Sequence, residues 1–410
     1  MSTTTVPEPG ARMTRVEIRA SASLASIFAL RMLGVFLILP VFAVHAKSMP
    51  GGQSAALVGL AMGIYGLTQA FGQIPFGTAS DRFGRKPVIV FGMALFALGS
   101  FVAALAPTLL WMLVGRAIQG AGAVSAAVTA SVADVTREEH RTKAMAMVGA
   151  SIGVTYSVSL VVAPLLYRVI GMGGIFALTG FLAIAAILVV VWVVPPLPRV
   201  SATRRVPFRE VLANRELMRL DFGVFTLHLT QMAMFVVVPS VLVQYAGLPL
   251  AEHWKIYLPV VIASFVLMLP PVIVAEKYGK MKQVLVGAIA LLFLVQVGLG
   301  LFLAHAASLS WGLLVALLLV FFVAFNILEA SLPSLVSRIA PPAAKGAALG
   351  VYNTLQPLGI FCGAALGGWM KQHVGPGAIF WLAAALAVVW FIIAVNMKGL
   401  PRRGAVSSAA

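Results

Sequence analysis

The chain is 410 residues long, 61% hydrophobic and only 10% charged, with a formal net charge of +17. A soluble domain is roughly half apolar and a quarter charged, so a water-soluble globular protein is excluded. The position of the positive charge then decides whether it serves nucleic acid or a membrane.

Residues 1–22 read as a polar tail, and behind them come 12 stretches of about 20 or more weakly charged residues, from Ser23–Val44 to Ala378–Met397. Each is long enough to cross the roughly 30 Å hydrocarbon layer as a helix. Of the 29 Lys and Arg, 23 fall in the tails and in every second loop. Only Lys47, Arg168, Lys255 and Lys371 occupy the alternate loops, and Arg31 and Arg116 lie inside spans. By the positive-inside rule both termini are cytoplasmic, and the basic excess orients the chain toward anionic lipid headgroups rather than nucleic acid. The expectation is an all-α integral membrane protein in two halves. An N-terminal six-helix bundle covers 23–194, a cytoplasmic linker 195–220, a C-terminal six-helix bundle 221–397 and a cytoplasmic tail 398–410.

Val44-His45-Ala46 resembles a signal-peptide cleavage site. The apolar run before it is too long for a signal, contains Arg31 and has 11 further spans behind it. In the first span Arg31 lies near mid-membrane, where an ionisable side chain is a candidate for coupling. Small residues at Gly59-x3-Gly63, Gly149-x3-Gly153 and Gly363-x3-Gly367 allow neighbouring helix backbones to approach closely.

The second and third spans are joined by Gly77-Thr-Ala-Ser-Asp81-Arg82-Phe83-Gly84-Arg85-Lys86-Pro87, and 195 residues later a reduced copy reads Glu276-Lys277-Tyr278-Gly279-Lys280. Val272 stands where Gly77 stands, and Met281 where Lys86 stands. Repetition at about half the chain length marks two halves built alike. Gly77 and Gly84 permit close approach and a tight turn, Pro87 can start the next helix, and Asp81 can cap the positive N-terminus of a helix in the other half. Simple topogenic charge is the other reading. The first copy resembles the cytoplasmic loop motif of the major facilitator superfamily, a resemblance that extends over nearly the whole chain. It implies 12 transmembrane helices in two pseudo-symmetric six-helix bundles that work by alternating access. It also implies an inner-side latch carried by Gly77, Asp81, Arg82, Gly84, Arg85 and Lys86, with Asp134, at the end of the fourth span, as the partner of Arg85.

Arg116-x2-Gln119-Gly120 in the fourth span resembles a second motif of the superfamily, associated with proton-coupled members, whose arginine tunes a nearby proton carrier. A structural arginine bonded to backbone carbonyls is the alternative. In the fifth span Gly149, Gly153 and Pro164 resemble in part the Gly-Pro motif of proton antiporters. Ala163 precedes the proline and Leu166-Tyr167 follow it, where the family has glycines. The single cysteine, Cys362, excludes an intramolecular disulfide and a cysteine metal cluster and reads as inert packing.

Pro195, Pro196, Pro198 and Pro207 break the helix between the halves, and Phe208–Arg219 is either a short amphipathic helix on the inner surface or a solvated linker. His228 in the seventh span sits two residues from Arg31 once the repeat offset is removed. It is either a proton carrier or a packing histidine. Glu329, well inside the tenth span toward its cytoplasmic end, is either a gate ion pair or a proton carrier. Arg31, Arg116, His228 and Glu329 are therefore the proton-coupling candidates. Tyr65, Gln69, Gln73, Gln119, Tyr156, Gln231, Asn326, Asn353 and Gln356 are the substrate-cavity candidates, and their Met-, Phe- and Leu-rich surroundings suit a lipophilic or cationic solute.

Arg31-Met-Leu-Gly34-Val-Phe-Leu-Ile-Leu-Pro40, Glu276-Lys277 and Asn326-Ile-Leu-Glu329-Ala-Ser-Leu-Pro333 resemble a drug/proton antiporter branch of the superfamily whose type member carries an added C-terminal soluble domain. No such domain is expected after the last span here. The resemblance implies proton-coupled export of a small, lipophilic or drug-like solute from an inner membrane. An uptake symporter or uniporter is the alternative within the fold, and a non-transporting sensor lies outside it. No nucleophile, paired acids or metal cluster converge, so neither an enzyme, a cofactor nor a metal is expected. The expected partners are a small-molecule substrate, protons and membrane lipids, without nucleic acid, and the expected unit is a monomer.

Overall fold

The computed structural model describes residues 13–195, 208–305, 310–341 and 344–398. Most of the N-terminal tail, the proline-rich part of the linker and most of the C-terminal tail lie outside those residues. The regular structure described is helical throughout.

In chain order the first half holds α1 (Arg15–Phe36), α2 (Leu39–His45), α3 (Ala55–Phe83), α4 (Arg85–Ala104), α5 (Leu109–Ala121), α6 (Ser125–Val135) and α7 (Glu138–Leu188). The second holds α8 (Phe208–Ala213), α9 (Arg215–Tyr245), α10 (Trp254–Lys277), α11 (Met281–Ala304), α12 (Trp311–Ile339), α13 (Lys345–His373) and α14 (Ala378–Val395). Helix α1 starts before the apolar stretch because Thr14 and Glu17 form a capping box, each side chain bonded to the other's backbone N–H. Helix α9 likewise begins at Arg215, inside the segment read as linker, because Asn214 Oδ1 accepts from the Glu216 and Leu217 amides. The amphipathic segment of the linker is thus a short helix, α8, a capping turn and the first turn of α9.

Among the described residues, ten helical segments are long and apolar enough to cross a membrane. One of them, Met147–Val193, contains two expected spans, because Gly171 at φ +64° redirects the chain within α7. Helix α13 is not among the ten, being interrupted by Tyr352, Asn353, Thr354 and Gln356. Its apolar deficit is tolerated because protein, not lipid, covers it on two sides. The repeat is visible in the backbone too: Gly84 (φ +96°) and Gly279 (φ +66°), at equivalent places in the two halves, both turn the chain in a conformation that L side chains avoid.

Helix α13 is the junction of the halves. Its Pro357, Phe361, Ala364 and Gly368 face α3, where a methyl group at Gly59 would meet the Ala364 carbonyl oxygen at 2.2 Å and one at Gly66 the Pro357 carbonyl oxygen at 2.4 Å. The opposite side packs on α9, with Gly363 seated against the Leu229 backbone. The seam is closed at its far end by Gln372 Oε1, which accepts from Ser54 Oγ and the Ala56 amide, both at 2.9 Å.

All these contacts lie on the side remote from the termini. Toward the terminal side Gly149 and Gly153 have nothing within 4 Å of an added Cβ. They share a helix face with Tyr156 and Leu160, which are buried, and lie opposite Val154 and Val158, which are exposed to the bilayer. That face is therefore interior, and the space it lines is an open vestibule. Gly59→Ala should destabilise this conformation by about 1–3 kcal/mol through overpacking, whereas Gly149→Ala should be tolerated; thermal unfolding of the two variants in detergent checks the contrast.

Candidate functional site

Polar groups from three helices of the second half converge at the head of the vestibule. Helix α9 is buried along nearly its whole length and places Asp221 and His228 two turns apart on one face. Helix α13 contributes Tyr352 and Gln356, one turn apart on the side facing α9, and α12 contributes Glu329. The His228 Nδ1 lies 3.0 Å from the Val224 carbonyl oxygen. A carbonyl only accepts, so Nδ1 carries the proton and, in the neutral ring, Nε2 is an acceptor. Gln356 Nε2 stands 2.8 Å from that Nε2 and donates to it. Glu329 Oε2 is 3.6 Å from the same nitrogen and has no hydrogen-bond partner. The His228 side chain is 4% exposed and that of Glu329 34%, so Glu329 is the more accessible member of the pair, although its Oε2 is itself buried.

Aromatic rings surround the pair. Phe325 meets the His228 ring edge-on with centroids 6.0 Å apart, and Tyr156 packs against Phe36, Phe235, Phe322 and Phe325. Asn326 donates to Ser264 Oγ at 3.1 Å, tying α12 to α10. Gln231 lies buried one turn beyond His228, and Asn353 is partly buried beside Tyr352. A separate apolar groove, lined by Pro75, Phe76, Ala79, Phe83, Pro87, Val88 and Phe91, carries no polar lining group.

The first half gathers the other coupling candidates into a different kind of cluster. Arg31 and Arg116 are each 1% exposed and have no carboxylate partner among the described residues. Arg31 donates to Ser125 Oγ at 3.0 Å and to the Tyr65 hydroxyl at 2.5 Å. Arg116 donates to Gln119 Oε1 and to the Met62 carbonyl, both at 3.1 Å. Both guanidinium groups lie against the Tyr65 ring, at 5.8 and 5.0 Å from its centroid. Gln119 donates onward to Ser100 Oγ, and Gln73 accepts from the Ala126 amide at the head of α6. Tyr65, Gln69, Gln73 and Gln119 are thus buried among the helices of the first half, whereas Tyr156, Gln231, Asn326, Asn353 and Gln356 gather near His228.

At the terminal end of α3, Arg85 is held between two carboxylates, Asp134 at 2.8 Å and Asp81 at 2.5 Å, and also donates to Ser80 Oγ. Lys86 Nζ donates to the Val194 carbonyl. Gly84 forms the one-residue turn into α4. Arg82 stacks on Phe83, and Gly77 lies against Ala126 of α6. In α7, Pro164 sits inside the helix, one turn beyond the buried Leu160.

Sequence reasoning missed Asp221 and Tyr352. Asp221 is 1% exposed with its Oδ1 unpartnered, and Tyr352 is 4% exposed with an unpartnered hydroxyl. The hydropathy pattern sets Asp221 at a span boundary; its seven-residue spacing from His228 is the signal that the sequence offers. The pairing of His228 with Glu329, 101 residues apart, had no local signal at all.

Comparison with known proteins places this architecture. The Major Facilitator Superfamily profile matches residues 23–361 and again 222–409, the second match starting at the head of the second half. The chain is 44% identical over 395 residues to the inner membrane transport protein YajR of Escherichia coli K12, covering 95% of this chain and 86% of the relative. It is 29% identical over 374 residues to the multidrug resistance protein MdtH of Aeromonas salmonicida, covering 88% and 87%. The crystal structure of a bacterial homologue of the human lysosomal transporter Spinster superposes with a TM-score of 0.73 at 13% identity, covering 94% of this chain and 97% of that one.

Tyr65→Phe keeps the ring under both guanidinium groups but removes the acceptor of Arg31. The orphaned buried donor should cost about 1–3 kcal/mol, read as a lower unfolding temperature in detergent.

Proposed function

The chain belongs to the major facilitator superfamily and is a membrane transporter; on that premise we propose that it couples inward proton movement to the export of a small lipophilic or cationic solute across a bacterial inner membrane. The observation that carries this reading is the His228–Glu329 pair at 3.6 Å. Imidazole nitrogens can take up and release protons, and here the Nε2 that accepts from Gln356 also faces a carboxylate. A proton taken up by the pair turns Nε2 into a donor toward Glu329 and cancels the negative charge of the site.

Glu329 is the partly exposed acid of this site, and aromatic rings stand around it. A cationic or lipophilic solute would gain attraction to Glu329 and contact with Phe322 and Phe325 only while the pair holds no extra proton. Mutually exclusive occupancy by proton and solute is the logic of antiport. Alternating access then lets each ligand load on its own side as the halves rock about the site. The bias of basic residues supports a cytoplasmic location for the termini, which makes the vestibule face the cytoplasm. The transport unit is a monomer in this reading, and lipid headgroups meet its basic inner face.

The Gly77–Pro87 turn serves as the latch of the opposite state. Arg85 stays bound to Asp134 while Asp81 engages the head of a second-half helix once the terminal ends of α3 and α13 meet. Asp81→Asn should therefore reduce transport sharply while membrane insertion stays intact; normal transport by this variant would remove the latch.

The test of coupling is proton flux in proteoliposomes, followed with a pH-sensitive dye during addition of lipophilic cations, antibiotics and small metabolites. Substrate-triggered proton release is expected from the wild type. Glu329→Gln should abolish it and retain substrate counterflow. Accumulation that ignores an imposed pH gradient would rule the coupling out, and accumulation inside cells rather than depletion would assign uptake.

A further inference from the structure

We propose that Gln356 is the residue that reads the protonation state of His228 and transmits it to the seam between the halves. The inference rests on the reading of His228 and Glu329 as the proton site and extends it to how the proton moves the protein.

Its chemistry follows from the hydrogen bonds. Val224 fixes the Nδ1 proton, so the neutral ring offers Nε2 as an acceptor, and the Gln356 side-chain NH2 fills it at 2.8 Å. Protonation puts a second N–H on the ring. Two donors then face each other, and the contact has to break or the amide has to rotate so that its oxygen accepts. No other residue touching that nitrogen must reverse its role: the Glu329 carboxylate is never a donor, lacks a partner on the neutral ring and gains a donor when the ring is charged.

The titratable groups around the ring are few. Glu329 comes from α12, Tyr352 from α13 and Asp221 from α9 itself. Helix α14 carries no titratable side chain between Ala378 and Val395, and the one in α2, His45, is bonded to the Tyr167 hydroxyl at 3.0 Å.

The next residue in the chain carries the signal onward. Pro357 lacks an N–H and leaves the Asn353 carbonyl without its helical partner, so α13 is most easily bent at this point. Its own carbonyl packs over Gly66 of α3, at the inner end of the seam. Gln356 and Pro357 thus point to opposite sides of α13, one onto the proton site and the other onto the first half. A rotated Gln356 amide changes the setting of α13 where the two halves touch.

The experiment uses the full chain in lipid nanodiscs, with Cys362→Ala and spin labels on Thr78→Cys and Gly346→Cys. These positions are exposed, at the terminal ends of α3 and α13. The label separation is measured by double electron–electron resonance between about pH 5 and pH 8, the range over which histidine changes charge. The wild-type background should change its distance distribution with pH, and His228→Asn should lose the change. Gln356→Leu and Gln356→Met, two apolar replacements of similar length, should lose it as well while remaining monodisperse. If His228→Asn abolishes the response and either Gln356 variant keeps it, Gln356 is not the transmitter and the proton site stands. If the wild type does not respond, or His228→Asn responds like it, the proton-site reading falls and this inference falls with it.

Discussion

Everything in this architecture depends on α13 having to satisfy two neighbours at once. One side meets α3 of the other half across glycines, and the other meets α9 of its own half across Gly363 and Gln356. Backbones at such separations leave no room for side chains between them, so this glycine-lined contact fixes how the two halves meet, and Tyr156 adds an aromatic contact across the halves to Phe235, Phe322 and Phe325. The low hydropathy of α13 belongs to the same constraint: a helix covered by protein on two sides has no need to be uniformly apolar, and its polar positions can be spent on the site.

Burial of charge divides the labour between the halves. The first half holds its two arginines as permanent cations with almost no exposure, their terminal nitrogens bonded to neutral acceptors and their planes against the Tyr65 ring, while both Nε groups are left without a partner. A guanidinium does not titrate in a protein, so this cluster cannot respond to pH and instead pins the first, second and fourth spans together. The second half instead leaves an acid, Glu329, partly accessible beside His228. In the proposed mechanism a proton taken up there would change the charge of the second half's wall alone, because the arginines are buried within the first half.

The parts of this protein legible in its sequence were those governed by lipid. Hydropathy made the all-helical membrane architecture legible, because a backbone in hydrocarbon has almost no choice but helix. The repeat of the Gly77–Pro87 turn gave the internal symmetry, and Gly84 and Gly279 show why: each turn needs a residue free of a Cβ. Helix ends were less visible, since α1 and α9 run past the apolar stretch wherever Thr14 or Asn214 can cap them. The convergence of Asp221, His228, Glu329, Tyr352 and Gln356 was not legible, because these residues come from three helices whose rotation about their own axes is set by packing. His228 and Glu329 were each singled out as buried ionisable groups; only the fold makes them one site. Tyr65 and Gln119, read as cavity residues from their polarity, turn instead to the two arginines, which need acceptors more than a cavity needs donors.

In the proposed mechanism the charge cluster at the terminal end of α3 would add a last step to the rocking of the halves. Arg85 has two carboxylate partners that differ in environment: the Asp134 side chain is 12% exposed and that of Asp81 37%. An exposed ion pair contributes about 0–1 kcal/mol, so the Asp81 contact can be exchanged at small cost, whereas the sheltered bond to Asp134 holds the guanidinium in place. Exchange therefore moves the acid and leaves the base fixed. When the terminal end of α3 approaches the second half, Asp81 can turn toward a helix N-terminus there without stranding Arg85, which keeps one full charge partner throughout. A latch built on a single pair would have to leave a cation unpaired each time it released. Built on a cation with two acids, as proposed, it would pass between states with Arg85 still paired.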